Sequence, residues 1–506
     1  MTQTSAPRGA LAATSEKDPW PALWALVLGF FMIMVDSTIV TVATPAIIED
    51  LHAEVNSVVW VTSAYLLAYA VPVLITGRLG DRFGQKRLYM IGLVVFTLSS
   101  LWCGLTGTVE GLIIARVFQG FGASMMTPQT MAIITRIFPA QRRGQAMALW
   151  GATAGVALLV GPLLGGVLVD GLGWEWIFFI NIPVGVVAFA LAWRLVPTLT
   201  TNPHRFDWLG VVLSGGGMFL LVFGIQEGHQ YDWGTVTGQI TVWRLIIAGL
   251  IVFGLFVFWQ SRNSREPLVP LGLFRERNFS LANIGISTIS FAFTAMAFPM
   301  MLYAQLVRGL SPTEAALLLV PMAVFSIALA PIVGKLTDRV HPRLITATGF
   351  ITACASLVWL AVELTPDSPT WQIMLPVALL GAGSAGIWAP LSATATRNLP
   401  MSLAGAGAGV YNATRQVGAV LGSAGIALLM DSRLAAQGLT FDPSKTSGGG
   451  SGLPEQALEP FSKAMSQAMF LPAGVLVIGV IAVLFFTAPK HVTDAAGVPA
   501  ATAAGH

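Results

Sequence analysis

The chain has 506 residues, of which 55% are hydrophobic and only 10% are charged, and its formal net charge at pH 7 is +3. A soluble domain carries about 25% charged residues, so this composition excludes an ordinary soluble protein and indicates a polytopic membrane protein. The small net charge gives no indication of nucleic-acid binding. Both cysteines, Cys103 and Cys354, fall within apolar runs, which argues against a disulfide framework.

Fourteen apolar runs, bounded by charged or turn residues, have the length of a membrane-crossing helix, which is about 20 residues. An even number of spans places both chain termini on the same side of the membrane. The predicted spans are 22–45, 58–77, 88–106, 109–133, 145–169, 174–195, 207–226, 241–260, 279–302, 313–334, 344–362, 371–395, 404–430 and 466–488.

These spans group into an all-α architecture of two six-helix units, at 22–195 and 279–488, with two extra helices between them at 207–260. Residues 1–21 and 489–506 are expected to be tails, and 431–465 a long loop with a flexible-linker composition. Twenty of the 27 lysines and arginines lie on the side of the termini and five on the other side. The positive-inside rule therefore predicts a multi-pass protein of the cytoplasmic membrane, with cytoplasmic termini and 431–465 outside.

One ionisable residue, Asp36, lies near the middle of the first span, in LVLGFFMIMVDSTIVTVATPAI at 26–47. A carboxylate there costs at least ~2.5 kcal/mol. We therefore expect Asp36 to face a water-filled cavity or a partner and to be able to exchange a proton. The alternative is a structural acid capped by the nearby hydroxyls of Ser37, Thr38 and Thr41.

A loop motif occurs twice. GRLGDRF at 77–83 follows the second span and GKLTDRV at 334–340 follows the tenth, 257 residues later. Internal repeats are typical of secondary transporters, whose substrate site lies near the midplane between the halves. We expect a latch that holds one face shut and opens when the halves move, and the alternative is a plain basic loop that sets topology. The latch residues would be Gly77, Asp81, Arg82, Gly84, Arg87, Asp338 and Arg339.

Several motifs together resemble one family. GRLGDRFGQKR at 77–87 resembles the loop motif between helices two and three of the major facilitator superfamily, and ARVFQGFGAS at 115–124 is similar to its fourth-helix motif. GVALLVGPLLGG at 155–166 resembles the fifth-helix antiporter motif. VDSTIVTVATPAI at 35–47, WEWIFFINIPVG at 174–185 and PLVPLGLF at 267–274 resemble the fourteen-helix drug/proton antiporter branch.

The resemblance, which covers about residues 22–430, implies a proton-coupled antiporter that exports amphipathic small molecules by alternating access. It implies that Arg116, at a depth similar to Asp36, takes part in proton coupling; the alternative is a structural strut. Protonation and a cationic cargo could then compete for Asp36. The antiporter motif residues would be Gly155, Gly161, Pro162, Gly165 and Gly166, of which Gly161 and Gly165 have the spacing for close helix approach.

Candidates for the wall of an amphipathic cavity combine aromatic and polar side chains in the spans. They are Tyr65, Gln129, Trp150, Phe291, Trp388, Asn412, Arg415 and Gln416. Some relatives that export dicationic drugs carry acids in their later helices, whereas 371–395 and 404–430 contain no Asp or Glu. Efficient export of dications is therefore not expected.

Other functions remain open at this level. The same fold could export a native lipid or metabolite, or the protein could be a non-transporting receptor or channel. A membrane-embedded enzyme is not favoured, because all six histidines lie in loops or tails without ligand spacing. We expect no metal and no cofactor, with the proton as the coupling ion. The expected partners are an amphipathic substrate and membrane lipids, without nucleic acid, and the protein is expected to act as a monomer.

Overall fold

The computed structural model describes residues 18–53, 55–139, 142–201, 207–228, 231, 233–263, 267–400, 403–439 and 453–487. These ranges are almost entirely helical, because a long apolar segment in lipid must satisfy its backbone hydrogen bonds internally. Within them, the strands form one antiparallel hairpin, β1 (Thr235–Thr237) and β2 (Ile240–Thr241), with Thr235 opposite Thr241 and Thr237 opposite Ile240.

The first half contains six spans. Its helices are α1 (Trp20–Asp50), α2 (Val55–Ala70), α3 (Val73–Phe83), α4 (Gln85–Leu105), α5 (Val109–Ile137), α6 (Arg143–Leu172), α7 (Trp176–Phe179) and α8 (Asn181–Leu195). Helices α2 and α3 form one span with a bend of 45°, which occurs where Pro72 cannot donate a backbone hydrogen bond. Helices α7 and α8 together form the sixth span.

Two extra helices and a second six-span half follow. They are α9 (Trp208–Gln226), α10 (Val242–Arg262), α11 (Arg277–Leu302), α12 (Pro312–Leu317), α13 (Val320–Arg339), α14 (Pro342–Glu363), α15 (Thr370–Arg397), α16 (Ala404–Ala436), α17 (Glu455–Ala468) and α18 (Phe470–Leu484). A 3₁₀ turn, Leu271–Arg275, precedes α11, and a π-helical turn, Tyr303–Val307, continues it.

Twelve helices of the described residues are long and apolar enough to cross a membrane, and the bent α2–α3 pair makes a thirteenth. The remaining long helix, α5, has 29 residues and lies inside the first half, against α2 and α4. Its polar side chains face this interior rather than lipid. The predicted all-α architecture of two bundles and two extra helices is thus the one observed.

The boundaries of the loop predicted at 431–465 were wrong. Helix α16 continues to Ala436. The last span was predicted to begin at 466, but α17, which precedes α18 in that region, begins at Glu455. The reason is that α17 is amphipathic: it buries Phe461, Met465 and Ala468 while its charged residues face outward. Residues 440–452 and the predicted tails, apart from 18–21, lie outside the described residues.

Asp207 fastens the extra helices to the chain that follows them. Its carboxylate accepts hydrogen bonds from the Gly210 backbone (2.9 Å), from Trp259 Nε1 (2.8 Å) and Gln260 Nε2 (2.8 Å) on α10, and from the Leu268 backbone (3.3 Å). Burial acts to raise the pKa of Asp207, but these hydrogen bonds together outweigh it and lower that pKa. One side chain at the start of α9 thereby holds α10 and the PLVPLGLF segment in place.

The two halves meet where α3 packs against α16 and where α6 packs against α13 and α15. One end of the bundle holds the start of α1, the end of α18 and the α3–α4 junction. We call it the basic end, because most of the lysines and arginines lie in its connecting segments. The hairpin between α9 and α10 lies at the opposite end.

Candidate functional site

The core of the first half contains a buried ion pair. Asp36 on α1 and Arg116 on α5 are both fully buried, and Arg116 Nη1 lies 2.6 Å from Asp36 Oδ2. Each charge is compensated by the other, as a buried ion pair in an apolar interior requires. The two residues that the sequence placed at a similar depth are therefore in direct contact.

Two amides complete the coordination of the Asp36 carboxylate. Gln119 Nε2 and Asn181 Nδ2 donate to Oδ1 at 2.8 and 3.0 Å, and both also donate to Ser100 Oγ. The hydroxyl of Ser37 donates instead to the Met34 carbonyl. Asp36 is thus the centre of a network between α1, α4, α5 and α8.

Arg116 is held from several directions. Its Nε donates to the Val61 carbonyl on α2 (3.1 Å), and its Nη1 also donates to Gln119 Oε1 (2.7 Å). The guanidinium carbon lies 3.9 Å from the centre of the Tyr65 ring, a cation–π contact. Its buried Nη2 has no hydrogen-bond partner within the described chain. This spare donor is available to a rearranged carboxylate without breaking an existing bond.

A cavity of about 260 Å³ lies between the halves. Its wall combines small, hydroxyl-bearing, aromatic and methionine side chains from both halves. They are Met34, Ser37, Thr38, Leu66, Tyr69, Gly151, Ala154, Gly155, Ser290, Phe293, Thr294, Met322, Ala323, Ser326, Ser384, Trp388, Arg415, Gln416 and Ala419. Asp36 is absent from this wall, so in this conformation a cargo in the cavity does not touch the carboxylate.

Three of the eight residues that the sequence proposed for the cavity line it: Trp388, Arg415 and Gln416. The other five lie elsewhere. Tyr65 stacks on Arg116, Gln129 donates to the Thr76 carbonyl, Trp150 packs on Phe30, Phe291 packs against α16, and Asn412 donates to the Ala408 carbonyl. Most of the wall consists of residues that have no distinctive sequence pattern.

Asp81 joins α3 of the first half to the start of α16 in the second. Its Oδ1 and Oδ2 accept hydrogen bonds from the backbone of Gly405 (3.0 Å) and Ala406 (2.9 Å), and Gln85 Nε2 donates to Oδ1. A carboxylate is favoured there, because the first turn of a helix has free N–H groups and a partial positive charge. Asp81 thereby forms a direct contact between the two halves.

Glycines make this approach possible. A Cβ on Gly77 would lie 2.7 Å from the Gly405 carbonyl oxygen, so the backbones of α3 and α16 are in direct contact. Gly84 alone separates α3 from α4, with a φ of 98° that favours glycine. Arg82 lies over the Phe83 ring, and Arg87 is exposed on α4.

The second copy of the motif makes an equivalent contact. Asp338, at the end of α13, accepts a hydrogen bond from the Gly144 backbone (2.8 Å) in the first turn of α6 and pairs with Arg397 Nη2 at 3.3 Å. Arg339 is exposed. We call the Asp81–α16 and Asp338–α6 contacts the two latches; both lie at the basic end and both cross between the halves.

The antiporter-motif residues of α6 divide between two neighbours. A Cβ on Gly161 would collide with Thr38, and one on Gly165 would lie 2.9 Å from Ile39 Cγ1, so both glycines pack closely against α1 just beyond Asp36. Gly155 and Gly166 face Ser326 and Thr313 of the second half. Helix α6 continues through Pro162 without a break.

Two repeated helical halves, latched together at one end around a central cavity, define a multi-pass membrane transporter. The family model of the Major Facilitator Superfamily matches residues 26–423, and the chain belongs to this superfamily. The fold agrees with that of the proton:xylose symporter XylE, with a TM-score of 0.62 over 92% of this chain and 94% of that one at 14% sequence identity. A transporter, rather than an enzyme, was predicted from the sequence and is confirmed.

The curated relatives place the chain in the drug-efflux branch. An uncharacterized MFS-type transporter, Rv1250, of Mycobacterium tuberculosis is 53% identical over 95% of this chain and 83% of its own length. The tetracenomycin C resistance and export protein of Streptomyces glaucescens is 35% identical over 82% of this chain and 77% of its own. Further relatives are named multidrug resistance or multidrug export proteins. The resemblance inferred from the motifs is thereby confirmed.

Proposed function

We propose that the protein is a proton-coupled antiporter, acting as a monomer, that exports amphipathic small molecules across the cytoplasmic membrane by alternating access. Its termini and basic end would lie in the cytoplasm. The proton is the coupling ion, and no metal or organic cofactor is required. The observation that carries this proposal is the Asp36–Arg116 pair, fully buried inside a half that also walls the cavity.

A buried carboxylate beside an arginine can serve as a proton site, because protonation removes the charge that holds the arginine. Arg116 then loses its ion pair and needs other acceptors, while Gln119 and Asn181 are left donating to a neutral acid. The free energy of the whole network therefore differs between the two protonation states. A conformational change that separates Asp36 from Arg116 would favour capture of a proton by the carboxylate, and re-forming the pair would favour its release.

Helix α1 connects the proton site to the cavity. Asp36 points into the first half, whereas the next two residues, Ser37 and Thr38, line the cavity. A rotation or tilt of α1 that accommodates cargo at Ser37 and Thr38 must also move Asp36 relative to Arg116. The coupling between cargo and proton is then indirect. The two bind at different places on α1 and do not compete for the Asp36 carboxylate.

In this proposal the two latches control whether the cavity can open towards the basic end. Both join the halves at the basic end, so in this proposal they hold the cavity closed to that side. Opening towards the cytoplasm requires both aspartates to leave their helix N-termini. Because α6 carries Gly144 at one end and packs against α1 near Asp36 through Gly161 and Gly165, one helix touches a latch and the helix of the proton site.

The proposal is tested with purified protein in liposomes with an imposed pH gradient. Asp36→Asn should abolish accumulation of an amphipathic fluorescent substrate against its gradient, because the side chain can no longer exchange a proton. Counterflow of substrate between the two sides should survive. Glu49→Gln is the matched control, since Glu49 is an exposed acid near the far end of the same helix. Uphill, uncoupler-sensitive transport by Asp36→Asn would refute the assignment.

The orientation has a separate test in intact cells, with Cys103 and Cys354 replaced by serine. Thr237→Cys, in the exposed hairpin between α9 and α10, should react with an impermeant thiol reagent. Thr201→Cys, exposed at the basic end, should react only after permeabilisation. The reverse pattern would place the termini outside.

A further inference from the structure

The wall of the central cavity carries a single formal charge. Of its lining residues, Arg415 on α16 is the one that is charged at neutral pH, and the remaining polar side-chain groups are hydroxyls, the Gln416 amide and the Trp388 indole N–H. Asp36, the nearest acid along α1, is fully buried in its own network. The cavity therefore presents a positive charge to whatever enters it.

Nothing in the described part of the chain neutralises Arg415 by an ion pair. Its Nη2 donates to Tyr69 Oη at 3.1 Å, and its guanidinium carbon lies 6.0 Å from the centre of the Phe30 ring. Its Nε is buried and has no hydrogen-bond partner in those same residues. A guanidinium that is partly desolvated and lacks a carboxylate is an unfilled anion-binding group.

Tyr69 fixes the position of this group. The Tyr69 ring is buried, and its hydroxyl also shares a hydrogen bond with Thr127 Oγ1 at 3.0 Å. The arginine is therefore oriented from the first half although it belongs to the second. An arginine held in this way loses less side-chain entropy when it binds an anion than one that is free.

The rest of the wall suits a flat apolar body. Trp388 and Phe293 pack edge to face with their ring centres 5.9 Å apart, and Met34 and Met322 add polarisable surface. A volume of about 260 Å³ lies just below the ~300 Å³ at which drug-binding pockets begin. One or two fused aromatic rings match that size.

Resting on the proposed export function, we infer that the cargo is an aromatic amphiphile with an anionic group, such as a carboxylate, and that Arg415 is the residue that selects it. The anionic group pairs with Arg415, and the ring system packs on Trp388 and Phe293. Cationic amphiphiles are disfavoured because they meet an uncompensated positive charge in a cavity without an acid. The charge preference of the exporter is thus set by one side chain.

The test measures binding to the purified full chain in detergent by isothermal titration calorimetry. The probes are 2-naphthoate and 2-naphthylmethylammonium, which share a ring system and differ in charge, with 2-naphthalenemethanol as the neutral reference. The wild-type protein should bind the naphthoate at least about tenfold more tightly than the ammonium, as expected for one charge-assisted pair. Equal affinities, or a preference for the ammonium, would overturn the inference without any variant.

Variants of Arg415 test whether this residue causes the preference for the naphthoate. Arg415→Gln should reduce the naphthoate preference to within about twofold, while Arg415→Lys should keep it, because the charge is retained. Arg433→Gln, which removes an exposed arginine from the same helix, should behave as wild type. A preference that persists in Arg415→Gln would mean that another group selects the anion.

This experiment separates the inference from the proposed function, because binding requires no proton gradient. If liposomes with wild-type protein fail to move 2-naphthoate against its gradient while the binding preference holds, proton-coupled export fails and the anion selection stands. If the liposomes accumulate the ammonium and binding also favours it, export stands and the anion selection is refuted.

Discussion

Asp81 and Asp338, 257 residues apart, occupy equivalent positions in the two halves, and each accepts backbone hydrogen bonds from the first turn of a helix in the other half. Asp81 binds the start of α16 and Asp338 the start of α6. The two copies of the sequence repeat thus form two equivalent contacts, each reaching from one half to the other. Because both lie at the basic end, they must break together for that end to open.

Neutralising a latch should slow transport. In Asp81→Asn or Asp338→Asn, the amide cannot offer a charged acceptor to the helix N-terminus, and a hydrogen bond to a charged group contributes about 1.5–3 kcal/mol. We expect initial rates of uphill export in everted vesicles, normalised to protein amount, to fall about tenfold, and the double variant to fall further. Asp170→Asn, an exposed acid on α6, is the control. Parental rates in both single variants would remove the latches from the mechanism.

Adding a methyl group at a latch should open it. The Cβ of Gly144→Ala would lie 2.6 Å from Asp338 Oδ1 and 2.9 Å from the Gly334 carbonyl oxygen, and overpacking of this kind costs about 1–3 kcal/mol. A cysteine at Ser326, on the cavity wall, should then react faster with a thiol reagent added to the basic end in everted vesicles. Gly254→Ala on α10, where a Cβ has open space, should leave the rate unchanged. A slower reaction in Gly144→Ala would contradict the prediction.

The Asp36–Arg116 pair should show strong coupling in stability. Arg116→Gln leaves a buried carboxylate without its cation, and breaking such a pair costs about 3–5 kcal/mol. The double variant Asp36→Asn/Arg116→Gln should therefore have a higher Tm in detergent than Arg116→Gln alone. Arg87→Gln, which removes an exposed arginine of α4, should change the Tm little. If the effects of the two single substitutions simply add, the pair is not a stabilising unit.

Asp207 should make the anchoring of the extra helices dependent on pH. Its pKa in the folded protein lies below its ordinary value of 3.8, so its stabilising contribution is present above that value and is lost as the pH falls through the lower, folded-state pKa. Asp207→Asn should lower the Tm near neutral pH, and the difference from wild type should shrink below pH 3.8. Asp367→Asn, in an exposed loop, provides the baseline. A Tm difference between Asp207→Asn and wild type that grows as the pH falls would contradict this prediction.

The helices could be predicted because each span in lipid must be continuously apolar over about 20 residues. The prediction was wrong at the last span because α17 is apolar on only one face. Its charged residues interrupt the continuous apolar run that indicates a span. Helix α5 has the opposite character: it holds Arg116 and Gln119 within a span because the surrounding helices shield them from lipid.

The ion pair was visible in the sequence because intramembrane charges are costly and therefore rare. Gln119, one turn after Arg116, and Asn181, within the sixth span, carry a weaker signal of the same kind and were not identified. The cavity wall could not be derived, because Met322, Ala323 and similar residues face lipid or a cavity equally well in sequence terms. Which face a helix turns inward depends on contacts between halves that are hundreds of residues apart.

Arg415 also has an electrical consequence. When an anion with one negative charge leaves the cell in exchange for one entering proton, both movements carry current in the same direction, so two elementary charges cross the membrane in each cycle. A negative-inside potential of 100 mV contributes about 2.3 kcal/mol for each of them, or about 4.6 kcal/mol in all, enough for a concentration ratio of over about a thousand. For a monovalent cation the two currents would cancel. If Arg415 selects an anionic cargo for proton-coupled export, this guanidinium would decide whether the cell's voltage, and not only its pH difference, powers extrusion.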